Sequence, residues 1–159
     1  MDIQEISIQF NVHPSVESMN ESAQALWNHA MSARASAYAP YSDFHVGAAV
    51  LLDNGQIVLG SNQENAAFPS GLCAERVALF YAQAQFPNSR VVAIAVNVSS
   101  DTYNIAGILS PCGACRQVMA EVRIRQKSPI QIFFPGENEQ IIELTDISGL
   151  IPFMFFLKK

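Results

Sequence analysis

All three cysteines of the chain lie where a helix is predicted to begin, and this placement constrains the fold more than any other sequence feature. The run Pro111-Cys112-Gly113-Ala114-Cys115 separates two thiols by three positions at one predicted helix start. Cys73 opens another predicted helix, directly after Gly71-Leu72. The free N–H groups and the positive dipole end of a helix N-terminus favour the thiolate, which is the form that binds metal.

These thiols are suited to zinc in a catalytic rather than a structural site. Structural zinc sites fill all four tetrahedral positions with side chains, whereas catalytic sites leave one position for water. The chain has three cysteines and no fourth. Three thiolates weaken the ability of the ion to acidify water, so nearby donors must compensate, and Arg76 is placed to donate to a cysteine sulfur. The sequence therefore predicts one zinc ion per chain, held by Cys73, Cys112 and Cys115.

Glu75 gives this predicted site a catalytic group. It lies two residues after Cys73, in the first turn of the same predicted helix. Its carboxylate can therefore approach the open metal position without binding the metal. A glutamate in a first helical turn is common simply as a dipole partner. Beside three thiolates it becomes a candidate proton shuttle.

Other uses of these residues stay open at this point. A C-x-x-C pair also occurs in redox sites and in buried cores. One of His13, His29 or His45 could complete a Cys3His site, which would make the protein a non-catalytic structural zinc module. His45 is the histidine nearest to the other motifs, although it lies in a predicted strand.

Charge and composition limit the class of ligand. The net charge is −5 and there are only 9 Lys and Arg residues, whereas polynucleotide-binding proteins cluster such residues to neutralise phosphates. A small neutral ligand is expected, with no nucleic acid polymer. Half of the residues are hydrophobic and 14% are charged, which favours a large core together with surface buried between subunits.

No membrane association is expected, and the predicted location is cytoplasmic. The apolar stretch from Leu150 to Leu157 is too short to span a bilayer. The first residues are acidic and lack the pattern of a signal peptide. An odd number of cysteines cannot form a complete disulfide framework within one chain.

The hydrophobic pattern predicts a single α/β domain over residues 1–159, a three-layer α/β/α sandwich with a central mixed sheet. Residues 1–15 form an N-terminal extension containing a strand, and residues 145–159 form a C-terminal segment. Helices are predicted over 16–37, 73–85 and 110–125, the last capped by Ser110, with a short helix after a Thr145 cap. Further strands are predicted over 46–52, 56–60, 91–98, 130–134 and 141–144, the first two joined by the turn Asp53-Asn54-Gly55.

The chain resembles the cytidine deaminase family of small, homotetrameric, zinc-dependent enzymes from about residue 37 to residue 144. The metal ligand, x, Glu pattern followed by P-C-x-x-C is the known signature of zinc deaminases. The motifs that carry the resemblance are Ala39-Pro40-Tyr41-Ser42, Phe44-x-Val46-Gly47-Ala48-Ala49, Asn62-Gln63-Glu64-Asn65, Cys73-Ala74-Glu75-Arg76 and Pro111-Cys112-Gly113-Ala114-Cys115-Arg116-Gln117.

The resemblance implies hydrolysis of cytidine and deoxycytidine to uridine and deoxyuridine with release of ammonia, a reaction of pyrimidine salvage. It implies that Asn62 and Glu64 bind the ribose hydroxyls and that Phe44 packs against the pyrimidine. It also implies a homotetramer with shared active sites. Deamination of a related cytosine nucleoside such as blasticidin S remains the nearest alternative.

The chain departs from the family pattern at two aromatic positions. Phe68 stands where relatives often carry a tyrosine that reaches a neighbouring subunit's site, so the hydroxyl is lost and the aromatic wall is kept. By resemblance Phe155 covers the active site, although Phe153 and Phe156 compete for that role. Simple interface or core packing of this segment is equally compatible with its sequence.

Overall fold

A mixed six-stranded sheet forms the centre of the computed structural model, which describes residues 1–105 and 107–157. The strands are β1 (Asn11–His13), β2 (His45–Leu52), β3 (Ile57–Ser61), β4 (Val91–Ser99), β5 (Gln131–Pro135) and β6 (Ile141–Leu144). The α-helices are α1 (Glu21–Ala33), α2 (Ala74–Gln85) and α3 (Gly113–Gln126). Short 3-10 helices cover Val16–Ser18, Arg34–Ser36, Phe68–Ser70 and Ile147–Leu150.

The strand order is β1-β6-β5-β4-β2-β3. Only β4 and β5 pair in parallel among the described strands, and α3 lies between them in the sequence. The other neighbouring strands are antiparallel. A parallel pair needs a crossover connection, and this one carries the chain through Cys112 and Cys115 at the start of α3.

Helices cover both faces of the sheet, which confirms the expected three-layer α/β/α class. Helix α1 packs Leu26, Trp27 and Ala30 against one face, where the strands supply Ala49, Ala95 and Phe133. Helices α2 and α3 pack against the other face, where the adjacent strand residues Val50, Ile94 and Ile132 point. The alternation of side chains along a strand therefore divides the core into two layers.

Two glycines let helices approach the sheet backbone closely. A Cβ atom on Gly60 in β3 would lie 2.5 Å from the carbonyl oxygen of Ala74 and 2.6 Å from the amide nitrogen of Ala78 in α2. A Cβ atom on Gly47 in β2 would lie 2.1 Å from the carbonyl oxygen of Ala30 in α1. Such contacts are prohibitively short, so the absence of a side chain sets the height of each helix above the sheet.

The observed first helix and first strand are both shorter than the sequence predicted. Asn20 interrupts the pattern because its Oδ1 accepts from the Ala23 amide at 2.9 Å and so begins α1. The extension strand is restricted to Asn11–His13, paired with β6, and residues 1–10 have no assigned secondary structure. Ile6, Ile8 and Phe10, the alternating residues before it, stay about half exposed, so burial does not hold them in a regular strand.

Two predicted caps are wrong. The N-cap of α3 is Cys112, because the Ser110 hydroxyl is engaged by Arg116 Nη2 at 2.5 Å instead of a helix amide. The last helix begins after Asp146, whose carboxylate accepts from the Ser148 hydroxyl at 2.8 Å, and not after Thr145.

None of the helices described here is both long enough and apolar enough to cross a membrane.

Candidate metal centre and active-site cavity

The three cysteines meet at one point above the sheet. Their Sγ atoms all lie within 4.8 Å of one another, and the Sγ atoms of Cys73 and Cys112 are 3.8 Å apart. Cys73 and Cys112 are the N-cap residues of α2 and α3, and Cys115 follows in the first turn of α3. The two helices therefore begin side by side and direct their free N–H ends at the sulfur cluster.

This donor set fits zinc. Ligands in a tetrahedron with Zn–S bonds of about 2.3 Å are separated by about 3.8 Å, which matches the distance between the Cys73 and Cys112 sulfurs. Within the part of the chain that the structure describes, the metal-capable cluster consists of Cys73, Cys112 and Cys115 alone. Three protein ligands leave a fourth position open, as in catalytic zinc sites.

Hydrogen bonding already favours a thiolate in this cluster. A hydrogen bond with the Cys115 thiol and another with Arg76 lower the pKa of Cys73 to about 5, against the opposing effect of burial. The Nη2 atom of Arg76 lies 3.7 Å from the Cys73 sulfur, as predicted for this arginine, and 3.5 Å from the Gly71 carbonyl oxygen. The hydrogen bond to Cys73, together with burial, raises the pKa of the Cys115 thiol.

Glu75 is buried beside the cluster, with 4% of its surface exposed. It occupies the first turn of α2 and lines the same cavity as Cys73 and Cys112. Burial raises the pKa of its carboxyl group, and the negative charge on Cys73 adds to the effect. A buried carboxyl group whose pKa is raised is able to exchange protons with a ligand in the cavity.

A cavity of about 630 Å³ opens over the cluster and Glu75. That volume lies in the range of small-molecule sites. One wall comes from the segments around Tyr41–Val46 and 62–65, and another from β4 and the segment before α3. Its lining includes Phe44, Asn62, Glu64, Phe68, Val96, Val98, Leu109, Ser110 and Pro111.

The predicted ribose-binding pair is held firmly on the cavity wall. The carboxylate of Glu64 accepts from the amides of Tyr41, at 2.8 Å, and Ser42, at 3.3 Å, and from the Ser42 hydroxyl. Asn62 accepts from the Val46 amide and donates to the Phe44 carbonyl oxygen, each at 2.8 Å. Each side chain therefore has a fixed orientation before any ligand binds.

The two unusual aromatic positions differ in their placement. Phe68 lines the cavity mouth, is 77% exposed and makes an edge-on contact with Tyr41 at a centroid distance of 6.0 Å. Phe155 does not line the cavity of its own chain and is 68% exposed. Its backbone oxygen accepts from Gln117 Nε2 at 2.9 Å, which holds the C-terminal segment beside α3.

Sequence reasoning missed the role of Arg116. Its guanidinium donates to the Pro111 carbonyl oxygen at 2.7 Å, the Leu150 carbonyl oxygen at 3.1 Å and the Ser110 hydroxyl. It thereby fixes the segment that precedes Cys112. Its sequence signal was its place in the run Pro111-Cys112-Gly113-Ala114-Cys115-Arg116-Gln117, directly after the C-x-x-C pair.

The histidines do not complete a metal site in the described structure. His13 lies in the edge strand β1 and pairs with Glu143 at 2.5 Å, and three strands separate β1 from β2. His29 is exposed on α1, and the Nδ1 atom of His45 lies 4.0 Å from an Asp43 oxygen. The alternative of a Cys3His structural module therefore finds no support in the observed geometry.

The chain is similar in sequence to known proteins. Residues 20–128 match the family model described as the cytidine and deoxycytidylate deaminase zinc-binding region. A cytidine deaminase of Halalkalibacterium halodurans is 40% identical over 132 residues, which cover 83% of this chain and 92% of that protein.

Solved structures agree with the sequence match. The crystal structure of cytidine deaminase from Burkholderia pseudomallei superposes with a TM-score of 0.70 at 37% identity, covering 86% of this chain and all of that one. The cytidine deaminase structure from Mycobacterium tuberculosis gives 0.66 at 32% identity, covering 87% of this chain and 100% of that one.

Proposed function

The chain belongs to the cytidine and deoxycytidylate deaminase family, and from this premise we propose that it is a zinc-dependent hydrolase of cytidine and deoxycytidine. The products are uridine or deoxyuridine and ammonia, as in pyrimidine salvage. One observation carries the proposal: a cluster of three cysteines and a buried glutamate open into the same cavity. A structural zinc module needs neither the glutamate nor the cavity.

Each part of the centre has a chemical task in this reaction. A zinc ion held by Cys73, Cys112 and Cys115 supplies Lewis acidity, which lowers the pKa of water. Glu75 accepts a proton from the water that attacks C4 of cytosine. The same carboxyl group delivers that proton to N3. It then takes the proton of the new C4 hydroxyl and passes it to the amine, so that the C4–N bond breaks, ammonia leaves and the C4 carbonyl of uracil forms. Arg76 holds the Cys73 sulfur in place by hydrogen bonding.

The charge of the cavity favours a nucleoside over a nucleotide. Among the described residues that line it, Arg76 is the one cation, and its guanidinium is directed to the Cys73 sulfur and the Gly71 carbonyl. Glu64 and Glu75 are on the same walls. A 5′-phosphate would therefore enter a cavity with two carboxyl groups, whose one cation among the described lining residues already donates to the Cys73 sulfur.

Recognition of the sugar and base is assigned to fixed side chains. We assign the ribose hydroxyls to Asn62 and Glu64, because an amide and a carboxylate together can both donate to and accept from a hydroxyl. Phe44 packs against the pyrimidine ring. An ionised carboxylate has about four acceptor positions, and three donors occupy positions on Glu64. One position is thus left for a ligand hydroxyl.

The exposed aromatic residues support assembly into a homotetramer with shared active sites. Phe68 and Phe155 are 77% and 68% exposed in the single chain, and burial against neighbouring subunits would remove this apolar surface from water. In that assembly Phe68 contacts the neighbouring cavity and Phe155 covers an active site. The partner is a small nucleoside rather than a nucleic acid polymer, and we place the protein in the cytoplasm.

An ultraviolet assay of the purified protein tests this function directly. The panel is cytidine, deoxycytidine, free cytosine, cytidine 5′-monophosphate, deoxycytidine 5′-monophosphate and blasticidin S. Ammonia release is measured for each compound, and zinc is counted per protein chain. We expect turnover of the two nucleosides, weak or no turnover of the nucleotides and free base, and one zinc per chain. Preferential turnover of blasticidin S or a nucleotide would overturn the substrate assignment, and zinc without any turnover would favour the structural module.

A further inference from the structure

Asp43 separates two residues of the cavity wall without lining the cavity itself. Ser42 and Phe44 both line the cavity. Asp43 has a left-handed backbone with φ 54°, and its amide donates to the Ala39 carbonyl oxygen at 3.0 Å. A non-glycine residue in this region turns the chain sharply, so its neighbours point to the cavity while its own side chain points away.

The Asp43 side chain binds the loop that follows β4. Its Oδ2 atom accepts from the amides of Asp101, at 3.1 Å, and Thr102, at 2.9 Å. It also accepts from the hydroxyls of Thr102, at 2.5 Å, and Ser100, at 3.3 Å. These hydrogen bonds lower the pKa of Asp43, the bond from the Thr102 hydroxyl having the largest effect. One carboxylate oxygen thus joins two loops that are distant in sequence.

The far end of that loop is fixed by other contacts. The Leu109 amide donates to the Pro135 carbonyl oxygen at 2.9 Å. Arg116 holds Ser110 and Pro111 directly before Cys112. Loss of the Asp43 contacts should therefore leave the metal ligands in place and act on the wall built by Ser42 and Phe44.

We propose that Asp43 is a positioning residue that sets the nucleoside-binding wall by tying the Ser42–Phe44 turn to residues 100–102. The proposal rests on the proposed function for its substrate. Ser42 orients Glu64 through its hydroxyl, and Phe44 forms the base-binding surface, so the Asp43 contacts support both from outside the cavity, in addition to the hydrogen bond from Asn62 to Phe44. Because the metal centre is anchored separately, Asp43 governs substrate binding more than the chemical step.

Three variants separate the tie from general stability. Asp43→Gly removes the carboxylate, while glycine adopts the left-handed backbone without strain. Asp43→Asn keeps an acceptor oxygen and tolerates that backbone. Asp53→Gly is the matched control, because Asp53 also bridges two segments, through Arg90, but lies at the other end of β2 from the cavity.

The kinetic readout is the separation of KM from kcat. Asp43→Gly should raise KM for cytidine about three- to tenfold with kcat within about twofold of wild type, which marks lost binding rather than lost chemistry. Asp43→Asn should restore KM to within about twofold. Zinc per chain should not change in any variant. The proposal would be overturned by an unchanged KM in Asp43→Gly or by an equal rise of KM in Asp53→Gly. A KM in Asp43→Asn as high as in Asp43→Gly would also overturn it.

Proteolysis tests the tie without reference to a substrate. Tyr103 is 58% exposed directly after the tied residues, so chymotrypsin cleavage after it, read by mass spectrometry, reports release of the loop. Cleavage should be faster in Asp43→Gly and unchanged in Asp53→Gly. Equal cleavage in Asp43→Gly and wild type would overturn the proposal even if cytidine is a substrate. A wild-type protein inactive on cytidine would instead contradict the proposed function, and cleavage would then decide the tie alone.

Discussion

The hydroxyl of Ser42 donates to the carboxylate of Glu64, so a turn before β2 fixes an acid on the opposite segment of the cavity wall. This bond is the largest of several effects that hold the pKa of Glu64 below its usual value. The amides of Tyr41 and Ser42 act in the same direction. Glu64 is consequently ionised and oriented at neutral pH before a ligand arrives.

Substitution of Glu64 by alanine should weaken binding of ligands that carry ribose hydroxyls. Loss of a hydrogen bond to a charged group should raise KM for cytidine about 10- to 100-fold. Initial rates for cytidine and 2′,3′-dideoxycytidine, measured on both proteins, provide the check. The dideoxynucleoside serves as the control, because it lacks the 2′ and 3′ hydroxyls, so the substitution should raise its KM much less. Equal losses on both substrates would remove Glu64 from ribose recognition.

Substitution of Glu75 by glutamine should keep zinc and lose nearly all turnover. Glutamine has almost the same shape but cannot carry a proton between water and the base, so kcat should fall by about 10²- to 10⁴-fold. Single-turnover assays and zinc analysis of the same preparation separate the two effects. Substantial residual activity in a fully metallated variant would refute the proton-transfer role.

Substitution of Cys112 by alanine should remove zinc and activity together. Its sulfur lies 3.8 Å from that of Cys73, so its loss leaves only two thiolates to hold the ion. The matched variant is His45→Ala, since His45 is the histidine that a structural Cys3His site would have used. Zinc analysis after dialysis should find about one ion per chain in His45→Ala, as in the wild type. An active, zinc-free Cys112→Ala protein would exclude the site.

The pairing of Asp146 with Arg123 should make stability depend on acid pH. Burial alone would raise the pKa of Asp146, but hydrogen bonds from Arg123, Ser148 and the Ile130 amide together lower it below the ordinary 3.8. The ionised carboxylate therefore stabilises the fold above that pH. This contribution disappears as the pH falls through the lower pKa of the folded state.

Urea unfolding of Asp146→Asn should accordingly show a cost of about 1 to 2 kcal/mol at pH 7. The difference in unfolding free energy between Asp146→Asn and wild type should decrease as the pH falls below the ordinary aspartate pKa of 3.8. Asp53→Asn provides a control, because its partner Arg90 has 62% of its side chain exposed and the pair is screened by water. A difference for Asp146→Asn that stays constant from pH 7 to pH 3 would contradict the pairing.

The elements that the sequence predicted well are those determined by local chemistry. The Asp53-Asn54-Gly55 turn joins β2 and β3 as expected, with Gly55 at φ 82°. The apolar run of β4 is a central strand buried on both faces. The cysteine spacing and the position of Glu75 predicted a cluster that the structure brings together in one cavity.

The features that escaped prediction are contacts between segments distant in sequence. The four hydrogen bonds to Asp43 come from residues more than 50 positions away. The hydroxyl of Ser110 is used by Arg116, so the helix begins later than the Ser-Pro pattern indicated. The proposed role of Phe155 over an active site would require a neighbouring subunit, because Phe155 does not line the cavity of its own chain. A local sequence pattern does not identify such distant partners, because the same residue types also occur in ordinary turns and helix caps.

The bare backbone of Gly60 has a consequence for protein engineering. Because α2 rests directly on β3 at this residue, the height of Cys73 and Glu75 above the sheet is set by the absence of one methyl group. Chimeras that exchange β3 or α2 between relatives must keep a glycine at position 60 of β3. Any side chain there would push α2 away from the sheet. Libraries intended to alter substrate choice should instead vary the loops around Asp43 and Tyr103, since Arg116 holds the segment before Cys112 independently of the Asp43 contacts.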